Sequence, residues 1–267
     1  MGALSIGPLV LSLDRAYAGV GFLVLLAGAE FLARRGRPDL ATWGWYAALA
    51  AFVGARLGFV LANLDFYRTT PGAVVAIWQG GFAPWWGVAA AALVSAWFAL
   101  RFPPLRRSMA GLGLAALAAW WLPSSLLTPA TGAAGLAMPA LTLASLDGPE
   151  TRLDRLSSGA IVNVWATWCP PCRRELPVLF EAAERHPDVA VLLVNHRERA
   201  ALVRGYLQGA GFPSAGVLLD PDGAVGAALR VAGLPTTFAF DASGALVDVH
   251  VGEISAPALA ALIARVR

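Results

Sequence analysis

The chain of 267 residues has few charged side chains, no lysine, only two cysteines and only three histidines. Charged residues make up 14% of it and hydrophobic residues 58%, which is too apolar for an ordinary soluble domain. The same charge content is too high for a protein that lies entirely within a membrane. The net charge of +3 is not collected into a basic stripe, so the sequence predicts no nucleic-acid partner.

The scarce reactive residues are distributed unevenly along the chain. Residues 1–140 contain neither cysteine nor histidine, which excludes a thiol relay there and removes the commonest haem ligand. Most acidic residues also lie in the second half, whereas most of the long apolar runs lie in the first. The composition therefore predicts two domains of different kinds. The cysteines and histidines are Cys169, Cys172, His186, His196 and His250.

Four apolar segments predict a four-helix transmembrane domain over residues 1–127. Each is long enough for the roughly 20 residues that a bilayer-spanning helix needs. The third run is longer than one span requires, so its helix is expected to begin near Phe82. The predicted spans are Ala16–Ala33, Leu40–Ala62, Val74–Leu100 and Met109–Leu127.

Arginine clusters predict the orientation of these spans. Three arginines follow the first span and three follow the third, and arginine-rich loops face the cytoplasm. The opening residues lack the basic region of a cleavable signal peptide, so the first span is expected to be retained. We therefore expect a multi-pass protein of the bacterial inner membrane with a periplasmic carboxy-terminal domain, in a compartment where disulfides persist. The arginines are Arg34, Arg35, Arg37, Arg101, Arg106 and Arg107.

Two stretches of the first half, GARLGFVLAN (Gly54–Asn63) and PGAVVAIWQGG (Pro71–Gly81), resemble bacterial prolipoprotein diacylglyceryl transferase. The opening Ile6–Gly19 is similar to the same family less specifically, and the resemblance covers residues 5–100. Trp85 stands where the family carries a histidine, and its later Gly-Arg-rich signature has no counterpart. The resemblance thus implies a truncated, bilayer-embedded relative, and we expect no transferase activity.

Arg56 lies well inside the second predicted span, where an arginine is costly and is a functional candidate by default. The resemblance implies that it binds a lipid phosphate. The alternative is structural: Arg56 faces the helix bundle and pairs with Glu30, with Asp65 or with a backbone carbonyl. Both interpretations stay open at the level of sequence.

Residues 128–139, rich in Ala, Gly, Thr and Pro, are predicted to be a flexible linker to a domain over 140–267. Apolar strand-like runs alternate there with helical patterns, which predicts an α/β domain with a mixed central sheet flanked by helices. The predicted strands are Ala160–Trp165, Val189–Val194, Thr236–Phe240 and Ala245–Val251; the predicted helices are Cys172–His186, Glu198–Gln208 and Pro257–Val266.

Cys169 and Cys172 are spaced to lie on one face of the first turn of a helix. At the amino end, Cys169 meets the positive end of the helix dipole and free backbone N–H groups, which favour the thiolate. Cys169 is then the exposed nucleophile and Cys172 the resolving thiol, with no cofactor beyond their redox-active disulfide. A structural staple is a poor alternative because the loop is so short. A zinc site is poor too, because the histidines lack the spacing and no metal ligand set is evident.

The stretches NVWATWCPPCRRELP (Asn163–Pro177) and VAGLPTTFAFDASGALVDVHVG (Val231–Gly252) closely resemble TlpA/ResA-type membrane-anchored thiol–disulfide reductases of the thioredoxin-like class. The resemblance covers essentially all of residues 138–267. It implies that Pro235 follows a cis peptide bond beside the cysteine pair. It also implies that Leu234 offers its backbone to a substrate segment, with Thr236 in the same element.

Two further residues complete the predicted site. Glu175 matches a family position and follows Cys172 by three residues, so it is our candidate for proton transfer with that thiol. Asn163 occupies the strand position at which thioredoxins carry an acid, and it cannot take a proton. The alternative for Glu175 is a solvated acid paired with an arginine. Trp168 is expected to cover Cys169 and to contact substrate.

The sequence thus predicts a membrane-anchored extracytoplasmic oxidoreductase that reduces disulfides of periplasmic proteins, and the resemblance implies a role such as cytochrome c maturation. Because residues 1–140 carry no electron carrier, a separate transmembrane electron donor is expected. The alternative is a lipoprotein-modifying relative of the transferase, with an accessory redox domain. The motif selects neither the target protein nor the direction of electron flow.

Overall fold

The computed structural model of the chain describes residues 3–6, 9–126 and 136–267. Contacts divide the chain into two units, one formed by Leu13–Thr128 and the other by the remaining residues. Two short strands near the amino terminus, β1 (Ala3–Ile6) and β2 (Leu9–Ser12), pair in an antiparallel hairpin. Most of the predicted linker, residues 128–135, lies outside the described residues, as does residue 127 at the end of the fourth predicted span.

The first unit is helical. Among the residues that the structure describes, three helical segments are long and apolar enough to cross a membrane: Arg15–Arg34, Asp39–Ala62 and Pro103–Leu126. The helix predicted within the third apolar run is α4, which begins two residues after Phe82 and has 18 residues. The helices of this unit are α1 (Leu13–Arg34), α2 (Asp39–Ala62), α3 (Leu64–Thr69), α4 (Pro84–Arg101) and α5 (Arg106–Leu126).

Small residues let α2 and α4 approach closely. A Cβ atom added at Gly54 would lie 2.5 Å from the Cβ of Ala90, and one added at Gly87 would lie 2.6 Å from the carbonyl oxygen of Ala51. Such contacts are typical of helix pairs in membranes, where packing replaces the hydrophobic effect as the source of stability. The indole of Trp43 is buried in the same bundle.

The second unit is built on one mixed seven-stranded sheet with the order β4-β3-β7-β6-β5-β8-β9. Strands β5, β6 and β7 are parallel, and the outer strands run antiparallel to their neighbours. The strands are β3 (Thr142–Ser145), β4 (Thr151–Arg152), β5 (Ala160–Trp165), β6 (Ala190–His196), β7 (Val217–Asp220), β8 (Thr236–Phe240) and β9 (Leu246–Val251).

Helices cover both faces of this sheet. One apolar core joins the sheet to α6, α7 and α9 through Leu179, Leu207 and Leu262, and the other joins it to α8 through Val225. This confirms the thioredoxin-like α/β class with a mixed sheet. The helices are α6 (Pro170–Arg185), α7 (Ala200–Ala210), α8 (Ala224–Ala228) and α9 (Ala256–Val266).

The expected end of the linker at residue 139 is wrong. Ala137 pairs with Ala245, the Met138 N–H donates to the Gly244 carbonyl at 2.8 Å, and the Met138 side chain is buried. Residues 136–139 therefore belong to the folded domain. No local pattern separates these residues from the Ala- and Gly-rich stretch before them, because the contacts that hold them lie about 100 residues away in the chain.

Candidate active site

The cysteine pair is placed by the central strand of the sheet. All six residues of β5 are buried, and the chain leaves this strand in a short loop that ends at Cys169. Cys169 is the amino-terminal cap of α6, and Pro170 and Pro171 occupy the first helical positions. Proline suits these positions because a helix has no partner for their N–H groups. The motif thus sets its first sulfur at the start of a helix.

Cys169 and Cys172 are joined in a disulfide. The Cys172 N–H donates to the Cys169 sulfur at 3.3 Å, which is the helix-start contact predicted for the nucleophile. Cys172 is fully buried and Cys169 is 3% exposed. Cys169 is therefore the slightly more accessible residue of the pair, but the expectation that it is exposed is wrong for the oxidised form. The folded residues that the structure describes contain no cluster of three or more potential metal ligands.

Glu175 is buried beneath the motif. Its Oε1 accepts a hydrogen bond from Asn163 Nδ2 at 2.7 Å, and its Oε2 accepts one from the Ile254 N–H at 2.8 Å. Burial raises the pKa of Glu175 from its ordinary 4.5 to about 8, against the opposing effect of these two hydrogen bonds. The alternative of a solvated surface acid is wrong, and the carboxyl group is poised to exchange a proton near neutral pH.

An ion pair lies next to Glu175. The guanidinium of Arg174 donates to the Glu253 carboxylate at 2.7 Å and 2.5 Å, and the Glu253 side chain is almost fully buried. Glu253 directly precedes Ile254, whose N–H donates to Glu175. The Arg174–Glu253 ion pair therefore connects helix α6 to the segment that hydrogen-bonds the buried carboxyl group. The Glu253 charge also raises the pKa of Glu175, while that of Arg174 lowers it.

The peptide bond between Leu234 and Pro235 is cis, as predicted. Leu234 is half-buried against both apolar cores, and the Gly252 N–H donates to the Pro235 carbonyl at 2.9 Å. Thr236 is buried, and its hydroxyl donates to the Gly233 carbonyl at 2.7 Å. The hydroxyl of Thr236 thus stabilises the turn before the strand, and contact of this residue with substrate stays a prediction.

A groove of about 350 Å³ opens beside the motif. It brings together Trp168, which is 66% exposed, and Leu234, two of the residues predicted to contact substrate. His196 lines the same groove with its side chain 20% exposed, and its Nδ1 lies 3.6 Å from Asp220 Oδ2. The other lining residues are Arg197, Val231, Ala232 and Gly233. The groove is open and mixed in polarity, as a surface for a peptide segment requires.

Glu198 is a residue of the site that the sequence did not reveal. Its carboxylate accepts hydrogen bonds from the Thr167 N–H at 2.7 Å, the Thr167 hydroxyl at 2.5 Å and Asn195 Nδ2 at 2.8 Å. These contacts fix the loop that carries Trp168 and Cys169 to the end of β6. The sequence pattern that could have identified Glu198 is an acidic residue that follows a strand and lies just before a helix, at the carboxyl edge of the sheet.

Replacing Glu198 by glutamine should lower the unfolding free energy of the domain by about 1–3 kcal/mol, because the neutral amide turns three hydrogen bonds to a charged carboxylate into weaker neutral ones. Urea denaturation of the oxidised protein measures this. Glu184→Gln, an exposed position of α6, is the matched control and should change stability by less than about 0.5 kcal/mol. Equal effects of the two variants would contradict the role assigned to Glu198.

Arg56 is buried in the helical unit, and its guanidinium binds backbone carbonyls. It donates to the oxygens of Val74 at 2.9 Å, Ala73 at 2.7 Å, Gly80 at 2.7 Å and Gly81 at 2.8 Å. The structure therefore favours the structural interpretation with carbonyl partners over pairing with Glu30 or Asp65. Four of its five N–H groups are used in this way.

Comparison with known families divides the chain in the same manner. The redoxin family model matches residues 133–263, and the model for prolipoprotein diacylglyceryl transferase matches residues 3–128.

Curated relatives match the carboxy-terminal half. The thiol:disulfide interchange protein DsbE of Pseudomonas fluorescens biotype C is 38% identical over 122 residues, which are 45% of this chain and 67% of that protein. DsbE of Pseudomonas aeruginosa is 35% identical over 136 residues, 50% of this chain and 71% of that protein. DsbE of Escherichia coli K12 is 34% identical over 125 residues, 45% of this chain and 66% of that protein. The chain thus spans about two thirds of the length of these relatives.

Among solved structures, MTB dsbF in its mixed oxidized and reduced forms is 27% identical, with a TM-score of 0.45. The match covers 49% of this chain and 99% of that one.

Proposed function

We infer the activity from one premise: the chain belongs, through its carboxy-terminal half, to the redoxin family of DsbE-like thiol:disulfide interchange proteins. Its amino-terminal half is related to prolipoprotein diacylglyceryl transferase. The protein is accordingly a disulfide oxidoreductase. We propose that it is a membrane-anchored, periplasmic protein disulfide reductase with the Cys169–Cys172 pair as its redox centre.

The observation that carries this proposal is the cysteine pair beside an open groove. Cys169 is the outer sulfur at the start of α6, where a backbone N–H stabilises its thiolate once the disulfide is reduced. The groove is formed in part by Leu234 and by Trp168, the residue directly before Cys169, and this supports binding of an extended substrate segment near that cysteine. These features suit attack on a protein disulfide without a cofactor.

The reaction proceeds by two exchanges. The Cys169 thiolate attacks one sulfur of the target disulfide, which breaks that bond, forms a mixed disulfide and releases one target thiolate. Cys172 then loses its proton to the buried Glu175 carboxylate and attacks the Cys169 sulfur. The second target thiolate leaves, and Cys169–Cys172 is oxidised by two electrons. Glu175 returns its proton to solvent or to the departing thiolate.

The next cycle requires two electrons from elsewhere. Residues 1–140 hold no cysteine and no histidine, so the membrane half offers neither a thiol relay nor the commonest haem ligand. A separate transmembrane electron donor therefore re-reduces the pair. We propose that α4 crosses the bilayer in addition to the three helices that are long and apolar enough to do so. With the arginine-rich loops after α1 and α4 in the cytoplasm, four spans would then put Cys169 on the opposite side.

Capture of covalent partners tests this function. Replacing Cys172 by alanine removes the resolving thiol, so mixed disulfides between Cys169 and its targets should accumulate in cells and be identified by mass spectrometry. The double variant Cys169→Ser/Cys172→Ala is the control and should capture nothing. Adducts with cytoplasmic proteins only, or equal capture by the control, would contradict the periplasmic reductase.

A second candidate is supported by the family match over residues 3–128. In it the membrane half modifies lipoproteins or presents them to the redox domain. The missing histidine at Trp85 and the carbonyl-bound guanidinium of Arg56 oppose a transferase. Diacylglyceryl transfer from phosphatidylglycerol to a prolipoprotein cysteine by the purified protein would favour it over a simple anchor.

A further inference from the structure

The segment between α3 and α4 is apolar but is not a continuous helix. It contains only two single turns of 3₁₀-helix, Pro71–Val75 and Ile77–Gln79, before α4 begins at Pro84. An irregular segment of this kind is excluded from the hydrocarbon of a bilayer unless its backbone polar groups find partners within the protein. Where the segment lies relative to the membrane therefore depends on those partners.

Arg56 supplies such partners from the side of α2. Its guanidinium donates to the carbonyls of Ala73 and Val74 in the first turn, and to those of Gly80 and Gly81 beyond the second. Both glycines have positive φ angles, 77° and 76°, which let successive carbonyls converge on one guanidinium. A single buried side chain thus satisfies four carbonyls of the segment.

The position of Arg56 fixes the depth of the segment. Helix α2 has 24 residues and is about 36 Å long, against about 30 Å for the hydrocarbon core. Arg56 lies six residues before its end at Ala62, which is about 9 Å along the helix axis. The Ala83 N–H also donates to the Ala55 carbonyl at 2.8 Å, at the same level of α2. The segment therefore returns to a level inside the end of the span.

The outer side of the segment is apolar and exposed. Val75 is 71% exposed, Ile77 45% and Trp78 55%. Water would be a poor environment for three neighbouring large apolar side chains, whereas acyl chains and the interfacial region suit them. The guanidinium itself is enclosed, with its carbon 5.5 Å from the ring centre of Tyr67 and 5.8 Å from that of Phe82.

We propose that residues 71–81 form a re-entrant segment that lies in the periplasmic leaflet, with Arg56 binding its carbonyls and with Val75, Ile77 and Trp78 against lipid acyl chains. This proposal rests on the membrane insertion of α2 proposed above. It also accounts for the length of α4, whose 18 residues begin beside Ala55 instead of at the membrane surface. The apolar run at Val74–Leu100 thus divides into a re-entrant part and a helical part.

Nitroxide labels at single cysteines test the proposal in the full chain with Cys169→Ser and Cys172→Ser, reconstituted in phosphatidylglycerol–phosphatidylethanolamine vesicles. Labels at Val75→Cys and Ile77→Cys should collide often with oxygen and several-fold less with a water-soluble nickel chelate. A label at Asp65→Cys, whose side chain is fully exposed, should show the reverse. Arg56→Lys keeps the charge but loses the guanidinium fork, so it should raise nickel collisions at Val75 several-fold.

Two controls separate the possible failures. A label at Leu49→Cys, on the exposed face in the middle of α2, reports membrane insertion itself. If the nickel chelate reached Val75 and Ile77 but not Leu49, only the re-entrant segment would be overturned. If it also reached Leu49, the membrane insertion of α2 would be overturned as well. Arg68 is an exposed arginine of α3, so Arg68→Lys should leave the nickel collision rate at the Val75 label unchanged. If Arg68→Lys and Arg56→Lys raised that rate equally, the role of Arg56 would be overturned.

Discussion

Replacing Cys169 by serine is expected to abolish thiol–disulfide interchange, with a loss of rate of about a thousandfold or more, as for removal of a catalytic nucleophile. Cys169 is the outer sulfur of the pair, and only its thiolate receives the hydrogen bond from the backbone at the start of α6. A serine hydroxyl at this position stays protonated and cannot attack a disulfide. Stopped-flow measurement with a model protein disulfide gives the rate.

Cys172→Ser is the matched control for this prediction. Because Cys172 is fully buried, it does not meet the target directly, and Cys169 should still attack in this variant. The reaction should then stop at the mixed disulfide, with one target thiol released for each protein molecule. Faster attack by the Cys169→Ser variant than by Cys172→Ser would reverse the roles of the two cysteines.

Glu175→Gln is expected to remove most of the pH dependence of stability between about pH 4.5 and 8. Burial raises the pKa of Glu175 from 4.5 to about 8, so in this window the folded protein holds a proton that the unfolded chain releases. The unfolding free energy of the parent therefore falls as pH rises through the window, by about 1.4 kcal/mol for each pH unit. Below pH 4.5 both states are protonated, and above pH 8 the full cost of burying the charge is present.

Urea denaturation of the oxidised redox domain at several pH values measures this effect. Glu175→Gln should give a flat profile over the window and should exceed the parent in stability at pH 9. The same substitution should slow the release of the second target thiol and shift its pH profile, because the proton acceptor for Cys172 is lost. The control Glu184→Gln should keep the parental slope of unfolding free energy against pH. If Glu175→Gln kept that slope too, the carboxyl group of Glu175 in the parent would titrate normally.

The residues that the sequence predicted correctly are those whose environment is set by neighbours in the chain. The bounds of β5 and β8 are as predicted, because both are short, apolar runs rich in β-forming residues. Both are interior strands of the sheet. Helix α6 follows directly from the motif and from its 3.6-residue period. The cis bond before Pro235 was available only from the family resemblance, because no local pattern specifies it.

The features that the sequence missed depend on distant contacts. Glu198 was predicted to begin a helix, but α7 begins at Ala200 because the carboxylate turns back to Thr167, 31 residues earlier. The partners of Arg56 lie 17 to 25 residues further along the chain, so no helical period could reveal them. Strands β3, β4 and β7 have four, two and four residues, too few for a pattern to be recognised.

The two outer strands of the sheet have a consequence for aggregation. A long, smooth and exposed sheet edge can template the addition of another extended chain. One edge here is β4, which has only two residues. The other is β9, which places Asp248 and His250 among its valines, pairs Asp248 with Arg265 and faces a register shift at Ala239 and Phe240. Both edges of the sheet thus discourage the addition of an extended chain, which lowers the tendency of the domain to aggregate.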